Sequence, residues 1–290
     1  MSAGAPHLAP NKIQQQRERC LYKAASPQKG VTTLKQALRA VAAAFSMFSA
    51  IPMPQVDWDK GGLKYMLWAF PLIGAVMGGL CTLWALAADA LALPSVLRGA
   101  GFCLIPLVVT GGVHLDGFAD TCDALASYAP PEKRRQILKD PHMGAFAAIR
   151  LCGWFVADFA LWAALPEFPA AAVTLGFCLS RALSGLAVAR WSLASDTGLV
   201  HTFAEASDRT ATGRFLAAVA LLLTAGLAAC GVQGVAMAVA AYGVWLYYRR
   251  MARVQFGGIS GDLAGWFVQT CEVWMLGALC AVQYFAAAWH

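Results

Sequence analysis

The chain has 290 residues, 59% of them hydrophobic and only 13% charged, with a formal net charge of +6. Soluble domains carry about 25% charged residues, so a soluble enzyme is excluded. The apolar residues gather in blocks of about 20, which excludes an alternating outer-membrane barrel as well, and the basic residues sit in loops between those blocks, which speaks for topology and anionic lipid and against nucleic acid.

What remains is an all-α polytopic membrane bundle. Residues 1–30 are polar, bear Gln, Lys and Arg, and lack the apolar core of a cleavable signal peptide. They are expected to form a mobile cytoplasmic tail ahead of one integral-membrane catalytic domain, 31–290. The stretch Leu34 to Pro54 is apolar over much of its surface but carries Lys35 and Arg39 and ends in Ile-Pro-Met-Pro. Seven transmembrane helices are predicted after it, at Leu67 to Ala90, Gly99 to Val113, Gly144 to Leu165, Ala170 to Ala189, Phe215 to Gly231, Val232 to Tyr248 and Gly265 to Ala287. Basic clusters at Arg17 to Lys23, Lys133 to Arg135, Arg209 and Arg214, and Arg249 to Arg253 all fall in the cytoplasm if Leu34 to Pro54 is re-entrant or interfacial, and that is the expectation. Three chemically unusual loops, His114 to Met143, Trp191 to Gly213 and Gln255 to Ala264, then share the cytoplasmic face. The nine cysteines are scattered without a C-x-x-C pair and read as reduced core residues. No internal repeat of the kind that marks inverted-repeat transporters is apparent.

The first of these loops carries the densest chemistry. Asp116, Asp120 and Asp123 are spaced i, i+4 and i+7, so a helix there would align three carboxylates in one stripe. A charge at bilayer mid-depth costs about 2.5 to 3.5 kcal/mol on insertion scales, so three must meet cations, water or metal. Mg²⁺, a hard cation that takes carboxylate oxygens and bridges to phosphates, suits them. The plainer alternative is a solvated acidic loop neutralised by Lys133, Arg134 or Arg135. His114 is a candidate acid or base, although a lone His is more often structural. Asp140 precedes Pro141 as a helix cap precedes a first-turn proline, and it is also a candidate metal ligand.

Gln255 to Asp262 is a glycine-rich turn leading into the last span, so Gly257, Gly258 and Gly261 could offer backbone N–H groups to a phosphate. Asp262 could cap that helix or bind metal. Glu272, ten residues on, is a buried acid that needs a partner and a further candidate ligand. Arg181 lies inside an apolar block and calls for an anion, either one of these carboxylates or a substrate phosphate; Arg190 at the block's end could snorkel or hold phosphate.

The run Gly111 to Leu125, Gly-Gly-Val-His-Leu-Asp-Gly-Phe-Ala-Asp-Thr-Cys-Asp-Ala-Leu, resembles the signature of the cobalamin synthase family, the adenosylcobinamide-GDP ribazoletransferases. Phe48 to Pro54, Phe70 to Gly74, Lys139 to Gly144, Ala189-Arg190 with Gly198, and Gly257 to Asp262 followed by Glu272 resemble it in order, covering the chain after about Val31. Ser260 stands where Thr is usual and Cys122 where Ala is, and the polar N-terminal tail is longer than typical. The resemblance implies Mg²⁺-dependent attack by a ribose hydroxyl of α-ribazole, or its 5′-phosphate, on adenosylcobinamide-GDP, with release of GMP. It implies an inner-membrane enzyme with its active site facing the cytoplasm, and leaves open self-association or a complex with other nucleotide-loop assembly enzymes. On this reading Asp116, Asp120 and Asp123 hold Mg²⁺, one of them or Asp262 takes the hydroxyl proton, Arg181 and Arg190 hold phosphate oxygens, and the Gly257 to Gly261 turn cradles the nucleotide. Two alternatives have less behind them. A CDP-alcohol phosphotransferase would have Arg where Asp120 stands, and a secondary transporter using the buried acids as an ion relay would not gather its polar loops on one side.

Overall fold

The structure, a computed structural model, describes residues 33–54, 63–195 and 199–288. The expected tail 1–30 and Gly198 lie outside them. Every named element is helical: α1 (Thr33–Phe48), α2 (Met66–Ala90), α3 (Ser95–Thr110), α4 (Val113–Ala126), α5 (Pro131–Ile137), α6 (Ala145–Ala164), α7 (Ala170–Arg190), α8 (Leu199–Ala206), α9 (Arg209–Ala229), α10 (Val232–Met251), a π-helical turn (Ala252–Phe256) and α11 (Gly261–Ala288). Among the described residues the sole strand-like feature is an isolated bridge, Leu193 to Ile259.

Five helices, α2, α6, α7, α9 and α11, are long and apolar enough to cross a membrane. A sixth crossing is counted if α3 and α4, bent by 94° at a short break, form one broken span or re-entrant element. The count therefore differs from the seven expected in two places. The predicted span from Gly99 stops at Gly111 and Gly112, whose φ angles of 61° and 77° end α3 and turn the chain into α4. Those angles suit glycine because no β-carbon is strained by them. Helix α10, at 20 residues, is diluted by Gln233, Tyr242, Tyr247 and Tyr248 and is not among the five. Helix α1 has 16 residues, about 24 Å of rise against a hydrocarbon core of about 30 Å, which agrees with an element that does not cross.

Helix α7 is the hub. It packs on α2, α9, α10 and α11, and 78% of its apolar window is buried within the protein, against 17% for α6, which leaves most of α6 facing outward. The contact with α2 is a backbone-to-backbone approach: a β-carbon at Gly74 would stand 2.5 Å from the Phe177 carbonyl carbon, and one at Gly78 would stand 2.6 Å from Thr174 Cα. Small residues are how membrane helices gain packing where lipid removes the hydrophobic drive. On the other side of the bundle α4 lies between α6 and α11. Segment 49–54 closes over the α3 end, with the Ala50 N–H donating to the Val109 carbonyl at 2.8 Å.

Candidate active site

Helix α4 forms where the spacing asked for one, so Asp116, Asp120 and Asp123 do lie along one face. Asp116 is exposed; Asp120 and Asp123 are half-buried. The opposite face of α4 enters the core through His114, Phe118, Thr121 and Cys122. His114 lies two residues from Asp116, about 200° round the helix, and its ring stands 5.8 Å from Phe70 and 6.4 Å from Phe48. It is 5% exposed, packed on aromatic rings and turned away from the acid stripe, so the acid-base role considered for it has no geometric support.

The first turn of α11 faces the stripe. Gly117 permits this: a β-carbon there would meet the Asp262 carbonyl oxygen at 2.7 Å and its Cα at 2.8 Å, and one at Gly265 would meet the His114 carbonyl oxygen at 3.0 Å. With both positions bare, α4 and α11 close together and Asp116, Asp123 and Asp262 all act electrostatically on Asp120. Asp262 is not the helix cap. The Ser260 hydroxyl accepts from the Leu263 N–H at 3.3 Å and the Ser260 carbonyl accepts from Ala264, so Ser260 performs that task. Gly144 stands against the Asp123 carboxylate, which a side chain there would run into.

Of the three basic residues that would neutralise a merely solvated acidic loop, Arg134 and Arg135 are engaged elsewhere. Arg134 bonds Gln255, while Arg135 donates to the Phe256 carbonyl at 2.8 Å and pairs with Glu132 at 3.3 Å, so both tie α5 to the π-helical turn. Among the described residues no ion pair involves Asp116, Asp120, Asp123 or Asp262.

Several other expectations need correction. Glu272 is ten residues beyond Asp262, about 15 Å further along α11, too far to share its ion. Its carboxylate instead takes Arg181 Nη1 at 2.5 Å and the Ser180 hydroxyl at 2.7 Å. Arg181, wholly buried, also donates to the Phe177 carbonyl at 2.9 Å, so the guanidinium is committed within the protein and not offered to a phosphate. Asp140 is exposed and held by its own loop: its Oδ1 accepts from the His142 N–H at 3.0 Å and meets the His142 ring at 2.8 Å. Those bonds hold its carboxyl below the usual range. It does not cap α6 either, which starts at Ala145 behind Gly144. The N–H groups of Gly257 and Gly258 both donate to the Ala252 carbonyl, so these two are not open to a phosphate. Gly261 opens α11 beside Asp262.

The turn does join two loops. The Ile259 N–H donates to the Ser192 carbonyl at 3.0 Å and the Ala194 N–H to the Ile259 carbonyl at 2.9 Å, with Gly258 against the Leu193 backbone. The three unusual loops therefore meet at one end of the bundle. Arg190 lies there, exposed, lining a cleft of about 450 Å³ with Arg209 and Arg214. In the sequence Arg209 and Arg214 stand out only as topology markers; their spacing across a helix start carries no signal that they would converge on Arg190.

Among the described residues no three His, Cys, Asp or Glu side chains form a ready-made ligand set for one ion. The donor chemistry is that of a hard divalent cation which takes one or two carboxylates and completes its shell with water and phosphate, as Mg²⁺ does. Four carboxylates without a basic partner fit that requirement.

The cobalamin-5-phosphate synthase family profile matches residues 40–280. A protein of Lachnoclostridium phytofermentans named adenosylcobinamide-GDP ribazoletransferase is 38% identical over 79% of this chain and 88% of its own length. Proteins of the same name from Clostridium botulinum, strain Alaska E43, and from Geobacillus kaustophilus are 30% and 32% identical, each over 85% of this chain and nearly all of their own length. No solved structure matches the chain. With the match spanning the core helices, the acid stripe and the Gly257 to Asp262 turn alike, this membrane enzyme belongs to the cobalamin-5-phosphate synthase family.

Proposed function

We propose that this protein is an adenosylcobinamide-GDP ribazoletransferase that uses Mg²⁺ and works on the cytoplasmic face of the inner membrane. The observation that carries the reading is the close contact of α4 and α11, which brings Asp116, Asp120, Asp123 and Asp262 together with no ion-pair partner among the described residues. Relatives bearing the transferase name supply the donor substrate, adenosylcobinamide-GDP. The acceptor is α-ribazole or its 5′-phosphate.

One or two of Asp116, Asp120, Asp123 and Asp262 would hold the ion, together with water and substrate phosphate. Bound there, Mg²⁺ supplies charge neutralisation on the diphosphate and its leaving group. The chain's own residues do the rest. One carboxylate of these four accepts the proton of the ribose hydroxyl as its oxygen bonds the cobinamide-side phosphorus; the bond from that phosphorus to the bridging oxygen breaks, and GMP leaves with that oxygen. Gly117 and Gly265 keep the two helices close enough to hold the acids in register. The first turn of α11, from Gly261, presents a helix N-terminus to anionic oxygens. Arg190 provides a cation beside the same loops.

The test is direct. Purified protein in liposomes, given adenosylcobinamide-GDP, α-ribazole and Mg²⁺, is expected to release GMP, and chelation by EDTA is expected to stop it. Folded protein that releases none across a range of lipid compositions would refute the reading.

A further inference from the structure

The cleft beside the acid site is lined by Arg190, Trp191, Ser192, Arg209, Thr210 and Arg214 and has a volume of about 450 Å³. Three guanidinium groups around one cavity repel one another, and among the described residues none of them forms an ion pair. The neighbouring acid, Asp208, caps α9 by accepting from the Ala211 N–H at 3.0 Å. Arg209 is braced by the backbone: it donates to the Trp191 carbonyl at 2.6 Å and to the Ala189 carbonyl at 3.3 Å. Bracing of this kind explains one arginine as a cap for the end of α7. It does not explain Arg190 and Arg214, both exposed and both lining the same cleft.

Arginine forks suit phosphate oxygens, which take two parallel N–H donors from each planar group, and the Ser192 and Thr210 hydroxyls add neutral donors. A phosphomonoester carries a charge of about −1.5 to −2 at neutral pH, more than the single charge of a phosphodiester, and three arginines answer the larger charge. The cavity falls within the range of about 300 to 1,000 Å³ typical of small-molecule sites, room for a phosphate with part of a sugar.

Position selects which phosphate. Ser192, in the cleft wall, bonds Ile259, and Asp262 is three residues further along. Three residues span at most about 10 Å, so the arginine cleft and the acid site lie within one nucleotide's reach. The diphosphate must sit at the carboxylates for the transfer to occur there. A second anion at this distance is then the one on the far side of the acceptor's ribose. The family's description names a 5-phosphate product, whereas the names of the relatives mention none, so an acceptor phosphate is a real choice for such an enzyme.

We propose that the Arg190, Arg209 and Arg214 cleft binds the 5′-phosphomonoester of the ribose-bearing acceptor and thereby sets the preference for the phosphorylated over the unphosphorylated form. This rests on the transferase reading above for the identity of the acceptor.

The experiment uses the full chain in phosphatidylcholine vesicles with saturating adenosylcobinamide-GDP, comparing α-ribazole 5′-phosphate with α-ribazole as acceptors. In the double variant Arg190→Gln/Arg214→Gln, the ratio of kcat/KM for the phosphorylated over the plain acceptor is expected to fall at least about tenfold, through KM. Arg214→Lys should restore less than Arg, because a point charge replaces a fork. A ratio that keeps its wild-type value while both acceptors lose activity together overturns the proposal. So does a difference between wild type and variant that appears only when phosphatidylglycerol is added, which assigns the cleft to a lipid headgroup. Equilibrium dialysis of the two acceptors against wild type and variant separates this inference from the parent reading. Arginine-dependent binding of the phosphorylated acceptor without GMP release would sustain the cleft and sink the transferase assignment, whereas GMP release with equal binding of both acceptors would do the reverse.

Discussion

Helix α11 carries two acidic side chains, Glu272 facing α7 and Asp262 facing α4, and the bundle treats them in opposite ways. Glu272, midway along α11, meets Arg181 and Ser180, with side-chain exposures of 10% and 0% for the ion pair, and every charge there is answered by another protein group. Asp262, at the start of the same helix, faces Asp116 and Asp120 across a glycine-bared contact, and no basic residue answers it among the described residues. A charge the protein neutralises for itself serves the packing of α7 against α11. A charge left for something else to neutralise marks where a cation and a polyanion enter.

Four tests would break or sharpen this contrast. The largest effect is expected at the internal pair. Arg181→Met leaves a buried carboxylate uncompensated and should cost about 3–5 kcal/mol of stability, read as loss of folded yield and of thermal midpoint in detergent. Adding Glu272→Leu should recover most of it; a double variant as unstable as the single one would show that the pair is not what holds the site. Next comes the acid stripe. Asp120→Asn, which removes charge at nearly constant volume, should lower kcat by about 10²- to 10³-fold while the thermal midpoint stays close to wild type. Turnover near the wild-type rate at all Mg²⁺ concentrations would remove Asp120 from the site.

Gly117→Ala probes what keeps the two helices together. Its methyl would overlap the Asp262 backbone, so about 1–3 kcal/mol of overpacking is expected, with a loss of GMP release larger than the loss of stability accounts for. Equal falls in both would mean that the glycine serves packing alone. The smallest effect is expected for Ser180→Ala, which deletes one hydrogen bond to Glu272 at 2.7 Å and should cost about 1 kcal/mol, measured by the same thermal assay, with no change in the acceptor preference.

Much of this is legible in the sequence. The spacing of Asp116, Asp120 and Asp123 implies one helical face, and α4 is a helix. Gly111 and Gly112 lie inside a stretch that the apolar pattern reads as one span, and the positive-φ break and 94° turn there did not follow from that pattern. Less legible were the partners. Glu272 and Asp262 are both candidate metal ligands in the sequence, two acids ten residues apart, and Asp140 resembles a helix cap that the chain does not use. Gly257 and Gly258 resemble a phosphate cradle, yet the π-helical turn and the bridge to Ser192 consume N–H groups that the reading had left free.

The sequence by itself determined composition-level and periodicity-level facts: a helical membrane enzyme, an acidic stripe on one helix, and a family signature spread over most of the chain. These depend on residues near one another along the chain, where 3.6 residues per turn settles geometry. Which charges are paid off internally was decided only by tertiary structure, because Arg181 on α7 and Glu272 on α11 lie 91 positions apart and meet only when the helices pack. The same holds for the arginine cleft, where residues 190, 209 and 214 converge only because α9 folds back against α7. The acid stripe of α4 therefore gained Asp262 of α11 through Gly117 and Gly265, whose lack of side chains lets the helices touch.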